Sequence, residues 1–172
     1  MDAMEVLTNL EHLQPYFQPI FSADDHVVIG YEILGRYVND SGIETLGSFF
    51  QDEKVPEEYR IDVDNHILIM ALEKINNTNE DFLIFINRDP NLLLSDHGED
   101  LLSILLKYVG EEHLHRIVVE LSENKFRGDI KSLQHLLTYY KTYGIKIAVD
   151  HLGTDSPLDR IALLQPQILK IN

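Results

Sequence analysis

The sequence predicts an α/β domain in which helices cover a parallel sheet, arranged either as an open doubly wound sheet or as a barrel. Short apolar runs alternate with longer segments of helical period, and no linker interrupts them. The 172 residues fit one domain, because domains cluster around roughly 100–150 residues. The glycine-rich motifs GxGxxG and GxxxxGK[ST], which bind phosphate in nucleotide-binding sheets, do not occur. Their absence favours the barrel.

The first half of the chain predicts a helix, a strand pair and a long helix. Residues 4–13 are amphipathic and predict the first helix. Residues 16–21 and 27–34 predict two strands, and the short polar turn SADDH between them indicates antiparallel pairing. Pro56 and the two acidic residues after it predict the start of a helix of about five turns.

The second half predicts alternating strands and helices. Further strands are expected at residues 82–87, 117–121, 145–150 and 168–171. Helices are expected at residues 101–109, 129–143 and 156–164. Gly144 follows the second of these helices, where glycine commonly ends a helix. The pattern therefore gives six strands, and only the first pair is antiparallel.

Composition excludes several classes of function. Lys and Arg number 14 against 29 Asp and Glu, a net charge of −15, which argues against a nucleic-acid polymer as partner. The absence of cysteine excludes disulfides, thiolate zinc sites and cysteine nucleophiles, and is compatible with a reducing cytoplasm. No window approaches about 18 consecutive apolar residues and the N-terminus lacks an export signal, so we expect a cytoplasmic protein without a membrane span.

Polar residues occur at or near the carboxyl ends of the predicted strands. They are Glu32, Asn87, Glu120, Asp150 and Lys170. An unpaired buried carboxylate costs several kcal/mol, so these groups must neutralise one another or bind a cation. Barrel enzymes gather their catalytic residues at this rim. Carboxylate and amide oxygens prefer hard ions, and the pattern therefore predicts a Mg²⁺ or Mn²⁺ site.

Six short motifs follow one another along almost the whole chain. They are QPI at 18–20, EILGR at 32–36, Asn87, ELSE at 120–123, DHLGT at 150–154 and LKI at 169–171. In this order they resemble the motifs of the EAL domain, the cyclic di-GMP phosphodiesterase family. The segments YEILGR and YYKTYGIKIAVD resemble the Bacillus type of that family, in which the EAL domain precedes a second, sensor-like domain.

The resemblance implies a role for each matching residue. The metal ligands would be Glu32, Asn87, Glu120, Asp150 and His151. Lys170 would position or activate the attacking water, with Glu32 as the other catalytic residue. Gln18, Leu34 and Arg36 would contact the substrate, and Glu123 would brace the loop after Asp150. The resemblance thus implies a two-metal Mg²⁺ or Mn²⁺ site that hydrolyses cyclic di-GMP to linear pGpG in a TIM-like barrel of the EAL type, commonly a homodimer.

The chain departs from the family pattern at several positions. His151 stands where the family usually has a second aspartate, and GTDSP replaces the usual continuation of that loop. A complete EAL barrel has eight strands, so we expect residues 1–172 to form one EAL domain that lacks the last two strand–helix units. An open edge at the last strand would favour association with another chain.

These departures leave an alternative function open. The chain could be a catalytically impaired EAL domain that binds cyclic di-GMP or a protein and transmits a signal. A barrel of the enolase type, with Lys170 abstracting a proton beside Mg²⁺, shares the carboxylates but does not account for EILGR or QPI.

Overall fold

In the computed structural model, seven strands form one mixed sheet within the described residues, which are 1–76, 81–122, 126–149 and 164–171. The strands are β1 (Leu13–Phe21), β2 (Val28–Asn39), β3 (Gly42–Thr45), β4 (Leu83–Arg88), β5 (Ile117–Leu121), β6 (Lys146–Val149) and β7 (Ile168–Leu169). Their order is β1-β2-β4-β5-β6-β7, and β3 pairs only with β2. The β1–β2 pair is antiparallel, as predicted, and the pairs from β2–β4 to β6–β7 are parallel.

Six α-helices are described. They are α1 (Ala3–Thr8), α2 (Gly47–Gln51), α3 (Glu57–Ile75), α4 (Pro90–Leu93), α5 (Leu101–Tyr108) and α6 (Ile130–Thr142). The long helix begins just after Pro56, and α6 is followed by Gly144 with a φ of 85°, both in agreement with the sequence. None of the helices in this part of the chain has the length and apolarity that crossing a bilayer requires.

The prediction of one helix over residues 4–13 is wrong in its second half. Helix α1 ends at Thr8, a short 3₁₀ turn follows, and β1 begins at Leu13. Leu13 is fully buried and pairs with Tyr37 of β2. This tertiary packing outweighs the local helical period.

A hairpin and two short helices were not predicted from the sequence. β2 continues past the predicted residue 34 to Asn39, and there it turns back into β3. All four residues of β3 are exposed, so β3 lacks the apolar alternation by which a strand is recognised. Helices α2 and α4 have only five and four residues. The predicted helix at 156–164 lies outside the described residues except for Leu164.

The two faces of the sheet differ in what covers them. On one side, called here the helix face, Ile33, Ile86, Val119 and Ile147 belong to the main core, which also contains residues of α3, α5 and α6. On the opposite side, called here the inner face, the fully buried apolar residues are only Phe85, Val118 and Ala148 among the described residues. Alternation along each strand therefore sends odd and even positions to different environments.

Candidate functional site

Seven of the residues assigned to the site from sequence share the inner face. Paired residues on neighbouring strands point to the same side of a sheet, as do alternate residues within a strand. Gln18 is directly opposite Glu32, and Asn87 is directly opposite Glu120. Strand pairing and alternation together give the set Gln18, Glu32, Leu34, Arg36, Asn87, Glu120 and Lys170.

Three of these side chains, Glu32, Glu120 and Lys170, are in direct contact and are called here the carboxylate–lysine cluster. The Lys170 Nζ donates a hydrogen bond to Glu120 Oε1 at 2.9 Å and another to Glu32 Oε1. Glu120 is fully buried, and Glu32 is 7% exposed. The members come from β2, from β5 and from the residue after β7, so only the folded sheet brings them together.

The charges in the cluster do not balance. Two carboxylates share one ammonium, which leaves one negative charge in excess if all three groups are ionised. Burial raises the pKa of Glu120 to about 8, while the hydrogen bond from Lys170 opposes the rise. Burial by itself would lower the pKa of Lys170, but its hydrogen bonds to Glu32 and Glu120 outweigh that effect and hold the pKa above its usual range. The cluster is therefore short of positive charge.

One atom of the cluster has no partner. The Glu120 Oε2 is buried and makes no hydrogen bond in the described structure. A buried acceptor without a partner is costly and usually has a reason. A cation bound at this oxygen would satisfy the acceptor and balance the excess charge.

The oxygen ligands present fit a hard divalent cation. They are the carboxylates of Glu32 and Glu120 and the amide of Asn87 beside them, the ligand types that Mg²⁺, Mn²⁺ and Ca²⁺ prefer. No group of three or more His, Asp or Glu side chains is arranged to hold a metal ion within the described ranges. Asp150, His151 and Glu123, the other residues predicted for the metal or its loop, lie outside those ranges.

The residues predicted to contact a substrate lie on two strands at one side of the cluster, β1 and β2. Arg36 is half-buried and donates a hydrogen bond to the carbonyl of Gly35 at 2.8 Å. Leu34 is also half-buried, whereas Gln18 is exposed. Leu34, Arg36 and Asn87 line part of a cavity of about 380 Å³. This side of the sheet thus offers an arginine and an open surface beside the buried carboxylates.

A second buried ion pair was not identified from the sequence. The Arg88 side chain is only 8% exposed, its Nη1 lies 3.7 Å from Asp64 Oδ2 on α3, and it donates a hydrogen bond to the Asn87 carbonyl at 2.9 Å. Burial raises the pKa of Asp64, and the guanidinium opposes the rise. The signal was present, because Arg88 is two residues after Ile86 in β4 and alternation sends both to the helix face.

Comparison with known proteins identifies similar chains. A family model described as the EAL domain matches residues 2–172. The uncharacterized EAL-domain containing protein YkuI of Bacillus subtilis is 51% identical over 174 residues, which cover 100% of this chain and 43% of that protein. The uncharacterized protein sll1895 of Synechocystis is 28% identical over 146 residues, covering 81% of this chain and 20% of that protein. The chain therefore spans less than half the length of these relatives.

Solved structures show the same fold. The crystal structure of B. subtilis YkuI in complex with substrate c-di-GMP and calcium matches with a TM-score of 0.90 at 51% identity, over 99% of this chain and 44% of that one. An EAL domain protein from Listeria monocytogenes matches with a TM-score of 0.76 at 23% identity, over 98% of this chain and 68% of that one. The mixed sheet described above is therefore the EAL type of TIM-like barrel, with the sheet not closed within the described residues.

Proposed function

The chain belongs to the EAL domain family, and we propose that it is a phosphodiesterase domain that hydrolyses cyclic di-GMP to linear pGpG in bacterial second-messenger signalling. The observation that carries the proposal is the carboxylate–lysine cluster with its unpaired Glu120 oxygen. The similarity to YkuI, whose structure contains c-di-GMP and calcium, supports the choice of ligand.

We propose that Glu32, Asn87 and Glu120 bind the divalent cations, together with Asp150 and His151. Mg²⁺ or Mn²⁺ is the expected ion, because the oxygen ligands are hard. When bound, a pair of such ions supplies Lewis acidity and lowers the pKa of a water molecule. The chain's own contribution is a buried pair of carboxylates that the sheet brings together, and Lys170, which is hydrogen-bonded to both, must release at least one of them when the cations bind.

Lys170 has the role of positioning the attacking water in this proposal. Its pKa lies above the usual range, so the side chain is an ammonium at neutral pH and donates hydrogen bonds. Hydrolysis joins the water oxygen to phosphorus and breaks the bond from phosphorus to one ribose oxygen, which leaves as a hydroxyl. An ammonium beside these carboxylates would donate a hydrogen bond to the water and hold it in line for this displacement.

The substrate contacts follow from the positions of the remaining inner-face residues. Arg36 would pair with a phosphate of the dinucleotide, because a guanidinium suits phosphate oxygens. Leu34 and Gln18 would contact the rest of the ligand, and Glu123 would support the loop after Asp150. The protein has a net charge of −15, so a doubly anionic ligand needs the positive charge of Arg36 and of the cations to bind.

A second candidate function is a binding module without turnover. It is favoured by His151, which removes one carboxylate from the pattern usual in the family. Such a domain would retain cyclic di-GMP through Arg36 and the cations and would signal through a protein partner. Binding without hydrolysis is the result that separates it from the enzyme.

Hydrolysis of cyclic di-GMP is the experiment that tests the proposal. The chain, and a version extended at its C-terminus, would be incubated with cyclic di-GMP and Mg²⁺ or Mn²⁺, and linear pGpG would be separated by chromatography. We expect metal-dependent product that disappears in Glu120→Gln. Binding with no product from either version would favour the binding module, and the absence of both would reject the family ligand for this chain.

Location and assembly are also proposed. We propose a cytoplasmic protein that forms a homodimer or associates through an edge strand. Light scattering over a range of concentrations tests the assembly, and a constant monomer mass at all concentrations would contradict it.

A further inference from the structure

The pairing between β2 and β4 ends one residue before Asn87. The last pair that joins these two strands is Ile33 with Ile86. Peptide carbonyls along a strand point alternately to its two neighbouring strands, and the Arg88 carbonyl accepts a hydrogen bond from the Ser122 amide at 3.0 Å, on the β5 side. The Asn87 carbonyl therefore faces β2, at the point where β2 no longer pairs with β4.

A side chain takes the place of the missing partner. The Arg88 Nη1 donates a hydrogen bond to the Asn87 carbonyl at 2.9 Å. The same guanidinium lies 3.7 Å from Asp64 Oδ2 on α3, so the helix holds the donor in place by charge. Backbone carbonyls need a partner when water has limited access to them. The end of β4 is thus held on one side by the Ser122 amide and on the other by Arg88.

The stability of the fold does not by itself explain a buried arginine here. The distance from Arg88 to Asp64 is longer than a hydrogen bond. A buried ion pair is often no more stabilising than apolar residues of the same volume, because both charges lose their hydration. The Arg88 Nη2 also has no hydrogen-bond partner in the described structure. What Arg88 supplies is a donor to the backbone of Asn87.

We propose that Arg88, anchored by Asp64, is a positioning residue that holds Asn87 in the orientation that binds the divalent cation. The inference rests on the proposed function, in which Asn87 is a metal ligand. Asn87 pairs with Glu120, and its side chain lies on the inner face, whereas Arg88 acts from the helix face through the backbone carbonyl. Without this hydrogen bond the peptide after Asn87 can rotate, and the amide loses its fixed direction toward the carboxylates.

Binding of Mn²⁺ alone tests the role of Arg88, with the free ion measured by electron paramagnetic resonance. The double variant Arg88→Met/Asp64→Asn leaves no uncompensated charge but removes the donor to Asn87. We expect its Mn²⁺ affinity to be about 10-fold or more below that of the unchanged chain, as for other residues that orient a metal ligand. Asp64→Asn keeps the donor and an oxygen beside it, so we expect it to lose much less affinity.

Ile75→Val is the control for a general loss of stability. Ile75 is buried near the end of α3, about 16 Å along the helix axis from Asp64 at roughly 1.5 Å per residue. The substitution should lower the thermal unfolding midpoint and leave Mn²⁺ affinity unchanged. A purely structural role for Arg88 predicts instead that Mn²⁺ affinity follows the midpoint in all variants. Circular dichroism establishes that each variant is folded.

A second measurement does not depend on a metal. In the metal-free chain, NMR relaxation of the Asn87 side-chain amide reports how firmly that group is held. We expect a lower order parameter in Arg88→Met/Asp64→Asn than in the unchanged chain, and no change in Ile75→Val.

Three results would overturn the inference. They are an unchanged order parameter of Asn87 in the double variant, an unchanged Mn²⁺ affinity in that variant, and equal losses of Mn²⁺ affinity in the double variant and Ile75→Val. If the unchanged chain bound no Mn²⁺ at all, the proposed metal site would fail, while the relaxation measurement would still decide whether Arg88 positions Asn87.

Discussion

Two buried ionic groups lie on opposite faces of the same sheet, and each contains one polar atom without a hydrogen-bond partner among the described residues. In the carboxylate–lysine cluster the atom is an acceptor, Glu120 Oε2, and in the Arg88–Asp64 pair it is a donor, Arg88 Nη2. With every group ionised the cluster has one negative charge in excess, whereas the pair balances its charges and adjoins a cavity. The difference teaches that the type of unsatisfied atom indicates what each group lacks, which is positive charge at the cluster on the inner face and a hydrogen-bond acceptor at the pair on the helix face.

The end of β4 connects the two groups. Asn87 and Arg88 are neighbours in sequence, and alternation sends Asn87 to the inner face and Arg88 to the helix face. Arg88 donates a hydrogen bond to the carbonyl of Asn87. A change on one face can therefore reach the other through the backbone.

The largest expected effect follows from removing a carboxylate on the inner face. We expect Glu32→Ala to lower the rate of metal-dependent hydrolysis by more than about 100-fold. Loss of a residue that only supports a metal ligand costs about 10–100-fold, and Glu32 would bind the cation itself. The thermal unfolding midpoint should change little, since Glu32 contributes to the site and is not part of the apolar core. The matched control Glu44→Ala, at an exposed residue of β3, should keep full activity. Turnover and metal affinity both unchanged in Glu32→Ala would refute its role.

On the helix face, the free energy of unfolding tests the interaction between Arg88 and Asp64. Arg88→Met leaves Asp64 half-buried without its ion pair, and we expect the free energy of unfolding to fall by about 1–3 kcal/mol. Arg88→Met/Asp64→Asn should recover part of that loss, because no orphaned charge remains. Urea denaturation measures both. Equal losses in the single and double variants would show that the two side chains do not interact.

Gly35 tests whether the two faces are coupled. A Cβ there would lie 2.5 Å from Ile67 Cδ1 and 3.0 Å from Leu46 Cδ1, and such overpacking costs roughly 1–3 kcal/mol. We expect Gly35→Ala to lower the thermal midpoint and also to weaken cyclic di-GMP binding, since Leu34 and Arg36 flank it on the inner face. Gly47→Ala, whose Cβ meets nothing within 4 Å, is the control. Weakened stability with unchanged ligand affinity would argue against coupling.

A further effect concerns pH and the metal-free chain. Glu120 has a pKa of about 8 in the folded state against an ordinary value of 4.5, so between these values the folded state retains a proton that the unfolded state has released. The free energy of unfolding therefore falls as pH rises from about 4.5 to 8. Glu120→Gln should flatten this slope in denaturation curves measured across that range. If the unchanged chain and Glu120→Gln had the same slope, groups other than Glu120 would cause the pH dependence.

Much of the inner face was predictable from sequence, and the reason is periodicity. Glu32, Asn87 and Glu120 stand out as polar residues in apolar strands, and alternation predicts their common face. The sequence also placed Lys170 with these groups at the rim, but its pairing with Glu32 in particular depends on the sheet order, because the two residues are 138 positions apart. Arg88 was overlooked because a charged residue at a strand end is normally solvent-exposed, and the packing of α3 that buries it is tertiary.

Anomalous diffraction from crystals of the chain soaked in Mn²⁺ tests the assignment of the carboxylate–lysine cluster most directly. We expect a peak within about 2.0–2.6 Å of oxygens of Glu32 and Glu120, with the Lys170 ammonium shifted away from at least one carboxylate. The same soak of Glu120→Gln should lose the peak. A Mn²⁺ peak elsewhere, or none while Lys170 keeps both hydrogen bonds, would contradict the cluster as the metal site.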